Sequence, residues 1–446
     1  MGGSDPPPAS QAHRVAWLHP TRPPNPGSPP GTTLAAVMTT LADAVLPLIR
    51  TRAEVWGWGT ANAHGGQMHQ AIDLLEGALP STTPADAYAV VHAALASAVK
   101  VIARADDSSG IIGDACRRLL ELHPVVAAAA GVTPGKLVDW MIKFQFDGDV
   151  DYFEIDPVAY AAALGDKGMA AYRARLDAIR AGLGPEPPES EYWSAPHRHE
   201  RFVLHWNAQR LAVLDRDVDA IIRTHARDRR VAVWLKDTAV ALAEIGEIDL
   251  AIDWAKQAAD HDLGHQAQMA ARYWCDLLAE HRPADELAAR LEVFRRWPSS
   301  GTATWLHRAA GPSWPDLRDE VITTLSARPA EAVLFSLGAL KDPRLAYEQA
   351  FTLHLDDDRA WAELAKAYQK VDPLGTLPIH QRLVEHELVK ADAKHYRAAA
   401  RRLATMRKIA AGTDHATAVD ELIARLRGLN NRRPRLQQEF DGAGLP

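Results

Sequence analysis

Between Leu235 and His261 the chain reads LKDTAVALAEIGEIDLAIDWAKQAADH, and most of the residues that should face inward are alanine. Taken at helical spacing, the stretch is two short helices joined at Gly246. Ala239, Leu242, Ala251, Ala255 and Ala258 then lie on the surfaces that meet. Small side chains let two helix backbones approach closely, so this stretch is suited to a tight helical hairpin. A single hairpin cannot bury its own outer faces, and copies must stack on it.

Weaker copies do flank it. Aligned on the residue that starts each second helix, Ala220, Ala251, Leu287, Leu317, Ala346 and Ile379 stand 31, 36, 30, 29 and 33 residues apart. Those steps straddle the roughly 34-residue period of tetratricopeptide units. Trp361, Leu364, Ala365 and Tyr368 carry the W-x-x-L-A-x-x-Y spacing of a first helix in such a unit. No stretch alternates β-branched residues with period two. The expected fold is all-α: an α-solenoid of degenerate tetratricopeptide-like helical hairpins at 200–429, behind an N-terminal helical domain at 32–183. Residues 1–31 hold nine of the 29 prolines and are expected as a disordered tail. Residues 184–199 are read as a proline-rich linker and 430–446 as a basic C-terminal tail. The glycine-rich stretch EVWGWGTANAHGG at 54–66 is read as a loop, 378–411 as one long helix. Trp206, Trp234, Trp254, Trp274, Trp305 and Trp361 fall in amphipathic helices, where large aromatics wedge repeats together.

Chemical motifs are sparse. Cys116 and Cys275, the two cysteines, lie far apart, which suggests neither a disulfide framework nor a zinc module. Cys116 shares a helix face with His123 and is read as a small buried hydrophobe. GVTPGK at 131–136 is one residue short of a phosphate loop and is followed by Leu137 instead of Ser or Thr. No H-E-x-x-H and no G-x-S-x-G occurs, and His197 and His199 form the one H-x-H, in a polar linker. No catalytic residue, no metal ligand and no cofactor is expected. The start MGGSDPPPASQAHR lacks the apolar core of a secretory signal, and no uninterrupted apolar run is long enough to span a bilayer. A cytoplasmic location without membrane association is the expectation.

Charge is the strongest surface signal. The chain carries a formal net charge of -7, yet twelve bases face only four acids between Lys390 and Arg435. A basic patch at Arg397, Arg401, Arg402, Arg407, Arg432, Arg433 and Arg435 could attract phosphates or an acidic partner. A solvated capping face is the plainer reading. The opposite pole is an acidic loop, DGDVDYFEIDP, with Asp147, Asp149, Asp151, Glu154 and Asp156 as a candidate docking surface. Its alternate aspartates have a calcium-loop look, but Tyr152 and Val158 stand where such a loop needs glycine and glutamate. A solvated loop that caps the helix starting at Pro157 is the plainer reading here too.

The segments DDSSGIIGDACRRLLELH (106–123), FQFDGDVDYFEIDPVAYAAALGDKGMAAYR (144–173) and the repeats around Ala220 and Ala251 occur in a distinctive order, closed by HYRAAARRLATMRKI (395–409) and LIARLRGLNNRRPRLQQEFDGAGL (422–445). In that order the chain resembles the helical region C-terminal to the finger in bacterial SWIM-type zinc-finger proteins and their finger-less relatives of unknown function. The finger itself, a C-x-C pair followed by C-x-H, is absent, so its role does not carry over. The resemblance implies a helical, repeat-containing protein with no established activity. The expected function is a non-catalytic helical-repeat scaffold whose concave surface binds a protein or peptide partner. The alternative is association with nucleic acid through the basic C-terminal end, and a third reading is hydrolase-like or metal-dependent activity at the acidic loop 147–156.

Overall fold

The structure, a computed structural model, describes residues 34–148, 152–187 and 196–446, with side chains from Leu41 onward. The expected tail at 1–31 and part of the expected linker at 184–199 therefore lie outside the described residues. Among the described residues the secondary structure is helical, apart from one isolated bridge between Val55 and Ala105. The chain divides into two compact units, Met1–Leu204 and His205–Pro446.

The first unit holds α1 (Leu34–Ile49), α2 (Trp58–Ala78), α3 (Pro84–Ile102), α4 (Ile111–Ala129), α5 (Pro134–Phe146) and α6 (Pro157–Leu183). Helix α3 starts where the sequence provides a cap: the Asp86 N–H donates to Thr83 Oγ1, and Pro84 occupies the first turn. Asp107 does the same for α4, its carboxylate accepting from the N–H groups of Ile112 and Gly113 at 3.0 and 2.8 Å. Val91, Ala94, Leu95 and Ala98 of α3 form one core with Met68, Ile72 and Leu75 of α2 and Leu119 of α4. Among the described residues α3 alone has the length and apolarity of a membrane-crossing helix, and here that apolar face is the core of the unit. The glycine-rich stretch expected as a loop is instead the first half of α2 from Trp58 onward. One of its glycines serves close packing: a Cβ on Gly65 would overlap Ile111 at the start of α4.

Helix α7 (Arg198–Leu214) spans the division between the units. After it come α8 (Val218–Ile221), α9 (Ala232–Glu244), α10 (Ile248–Asp260), α11 (His265–His281), α12 (Pro283–Arg296), α13 (Ser300–Ala310) and α14 (Trp314–Ser326). The remainder are α15 (Pro329–Gly338), α16 (Pro343–Thr352), α17 (Asp358–Tyr368), α18 (Leu377–Val389), α19 (Ala393–Ala410), α20 (Ala416–Leu429) and α21 (Pro434–Gly442). From α9 to α20 successive helices pack on one another, and several pack on the helix after that, as α9 does on α11, α15 on α17 and α19 on α21. That succession is what makes the second unit an α-solenoid. Helix α15 shows how the core propagates: Ala332 and Phe335 join the cluster of Phe294, Leu306 and Leu325, while Val333 joins that of Ala346, Leu355 and Trp361.

The founding hairpin is α9–α10. Ala239, Leu242, Ala251, Ala255 and Ala258 are all fully buried there. Gly246, at φ 85, closes α9 with paired bonds from its own N–H to Ala243 O (3.0 Å) and from Glu247 N–H to Leu242 O (3.0 Å). The same closure ends α7 at Arg216 (φ 55) and α16 at His354 (φ 53), where a non-glycine residue takes the left-handed position. Of the six array tryptophans, Trp254, Trp274 and Trp361 are buried, whereas Trp206, Trp234 and Trp305 are half-buried. Cations cover several of them: Arg227 on Trp234, Arg229 on Trp254, Lys256 on Trp274 and Arg272 on Trp305, at 4.7, 4.8, 4.9 and 5.1 Å from the ring centres.

Two expectations at the C-terminal end give way. The helix expected over 378–411 is two helices, α18 and α19, because Asp392 turns out of the first and caps the second by accepting from the His395 N–H at 3.0 Å. The stretch expected as a tail at 430–446 carries α21, with Leu436 and Phe440 fully buried against Leu403, Met406 and Ile423. Gly246→Ala is expected to lower the unfolding free energy by about 1 kcal/mol through backbone strain alone, since only the tip of Arg216 lies within 4 Å of the new Cβ. The check is the urea midpoint at unchanged slope, and an unmoved midpoint would mean the left-handed turn is not needed.

Candidate functional site

One concavity of the second unit is built by α16, α17 and α18. Asp342 caps α16 by accepting from the Leu345 N–H at 3.0 Å, and Asp357 caps α17 by accepting from the Ala360 N–H at 2.7 Å. These caps and the left-handed His354 set a short turn between the helices. Its Leu355 carbonyl accepts from the indole N–H of Trp361 at 3.0 Å. Trp361, 3% exposed, stacks edge-on with Phe351 at 5.1 Å; Phe351 in turn contacts Tyr347, which stacks on Tyr368. From α18, Arg382 reaches over the Trp361 ring (5.5 Å) and donates to Asp356 at 2.8 Å.

The result is a cavity of about 540 Å³ whose lining includes Phe351, His354, Leu355, Trp361, Arg382 and Glu385. Phe351 is 42% exposed. A second cavity of about 260 Å³, walled by Met406, Val419 and Leu422, shares Pro378 and Gln381 with the first. The two adjoin along α18: the first mixes polar and apolar lining, and the second is mainly apolar. Such a site can seat apolar side chains of a peptide while Asp356, Arg382 and Glu385 meet its polar groups. The sequence offered little sign of it. PRLAYEQAF was legible as a weak repeat, but nothing in a histidine announces a left-handed turn at His354.

The basic terminus is largely spoken for. Arg397 and Arg435 both bind Glu439, at 3.2 and 2.6 Å, and Arg407 binds Asp420 at 2.7 Å. Arg433 donates to the Leu388 carbonyl at 2.9 Å. Arg427 binds Asp441 at 2.8 Å and also donates to the carbonyls of Leu445 and Pro446. Glu439 and Asp441 fall just beyond the basic stretch, so their neutralising role was hidden in the charge count. Arg401, Arg402 and Arg432 have no carboxylate within ion-pair distance among the described residues, and Arg402 is half-buried. The seven arginines therefore do not act as one free patch.

At the acidic loop, Asp149 and Asp151 lie outside the described residues. Asp147 and Glu154 are exposed, and Asp156 caps α6 by accepting from the Val158 N–H at 3.0 Å. His197 pairs with Glu200 at 3.0 Å, whereas His199 bonds the Gln145 carbonyl at 2.7 Å. Cys116 and Cys275 are buried, and burial pushes both thiols up to about 12. Among the described residues no three His, Cys, Asp or Glu side chains converge as a metal site would require.

A model of a family of unknown function, DUF6880, matches residues 35–437. The chain belongs to that family. Among solved structures, a circular tandem repeat protein with novel repeat topology and enhanced subunit contact surfaces aligns at 12% identity, over 92% of this chain and 95% of its own, with a TM-score of 0.15. No curated protein matches.

In this DUF6880 chain a strongly perturbed histidine lies in the first unit. His123 is fully buried, with Nε2 2.9 Å from His92 Nδ1 and Nδ1 2.9 Å from Tyr160 Oη. Trp140 stacks on it at 4.2 Å. Burial, with His92 adding to it, holds the imidazole down to about 3. The unfolded chain would protonate this group below about pH 6.5, while the folded chain does so only near 3. Its contribution to stability is thus complete above the first value and lost as pH falls toward the second. His123 alone should make the protein about 2 kcal/mol less stable at about pH 5 than at neutrality. His123→Gln should flatten that slope in urea unfolding at the two pH values; an unchanged slope would place the acid sensitivity elsewhere.

Proposed function

We propose that this protein is a non-catalytic helical-repeat scaffold that binds a protein or peptide partner along its second unit, anchored in the cavities beside α18. One observation carries the reading: a half-exposed Phe351 stands over a built aromatic floor, next to a second apolar pocket on the same helix. A buried aromatic floor with one ring left open is the usual anatomy of an anchor pocket, where a few residues supply most of the affinity. A cytoplasmic setting fits two thiols that are buried and unpaired.

Nucleic-acid association through the C-terminal end is the second reading, favoured by Arg401, Arg402 and Arg432, which lack carboxylate partners among the described residues. One experiment separates the two. Peptides selected by display against the full chain should carry apolar side chains at helical or alternate spacing. Phe351→Asp should weaken them by about 2 kcal/mol, roughly 30-fold. Reversing Arg401, Arg402 and Arg432 to Glu should leave that binding intact. If instead Phe351→Asp changes nothing, while the arginine reversals abolish steeply salt-dependent binding to an oligonucleotide, the scaffold reading is wrong.

A further inference from the structure

Trp56 and Trp58 are 65% and 64% exposed, and neither ring contacts another aromatic or a cation among the described residues. Soluble proteins rarely leave two neighbouring indoles open to water without a use for them. Their mount is firm on both sides. Val55, just before Trp56, is buried, and its carbonyl accepts from the Asp106 N–H at 3.0 Å. Gly57 between the two is the cap of α2, its carbonyl accepting from Thr60 Oγ1 at 2.7 Å and from the Ala61 N–H at 2.9 Å. Two rings on a fixed backbone form a platform.

We propose that this platform docks the segment Pro20–Pro26, PTRPPNP, of the same chain. Proline rings stack well on indole faces, and a proline-rich segment is predisposed to the polyproline II helix, which loses little entropy on binding. The indole N–H groups supply donors for the carbonyls that such a helix leaves free. Position and length allow this stretch, the run of prolines nearest to Leu34 that can reach. Helix α1 spans 16 residues, about 24 Å at 1.5 Å per residue, and the Trp56 loop follows its far end. Pro20–Pro26 stands eight to fourteen residues before Leu34, a reach of roughly 25–43 Å at about 3.1 Å per residue. It can therefore fold back along α1 to the platform, whereas Pro29 and Pro30 are too close to do so.

The test uses the full chain labelled with 5-fluorotryptophan, with the two fluorine signals assigned through Trp56→Phe and Trp58→Phe. Replacing Pro20, Pro23, Pro24 and Pro26 with Ser should shift both signals and leave those of Trp254, Trp274 and Trp361 in place. In the unsubstituted chain the two signals should not change on dilution. Signals that ignore the proline substitutions would overturn the proposal. So would a shift that disappears on dilution, which would assign the platform to the tail of a second copy.

Discussion

Small side chains let two helices come close, and the hairpin α9–α10 sets Ala239, Ala251, Ala255 and Ala258 beside Leu242, all fully buried. Close approach maximises dispersion contact but leaves little apolar area per helix, so each hairpin needs a neighbour to cover its outer face. Trp254 and Trp274 do that work next to the alanines, and α15 repeats it further along with Phe335 on one side and Val333 on the other. The array is thus a chain of local agreements between successive helices, each completed by the next.

Such an array must stop without leaving an apolar end exposed. At the C-terminus the solution combines packing and charge. Leu436 and Phe440 of α21 seal the last core cluster, while Arg397, Arg427 and Arg435 hold its carboxylates Glu439 and Asp441. These exposed pairs add little stability individually. Their consequence is that much of the positive charge faces the protein's own helix instead of a polyanion. With that end occupied by capping, the cavities beside α18 are the surface proposed for a partner.

The periodic features of this chain were legible in its sequence. Alanines at helical spacing, the W-x-x-L-A-x-x-Y run and the Thr83-Pro84 start each express a local rule, and each appears in the structure as expected. Features that depend on distant neighbours were not legible. Gly65 looks like loop composition until Ile111 is seen against it, and Arg427 looks like free charge until α21 folds back with Asp441. The cavity proposed for a partner belongs to the second kind: Phe351, His354 and Arg382 come together only through the packing of three helices.

Hydrogen exchange of the full chain carrying Ala255→Leu tests the nearest-neighbour account most directly. Overpacking at a fully buried methyl should destabilise the site by about 1–3 kcal/mol. If stability is a sum of local helix contacts, amide protection should fall in α9, α10 and α11 and stay unchanged in α16 to α19. A uniform loss from α7 to α21 would contradict the account, because it would show one cooperative core where stacked hairpins are claimed.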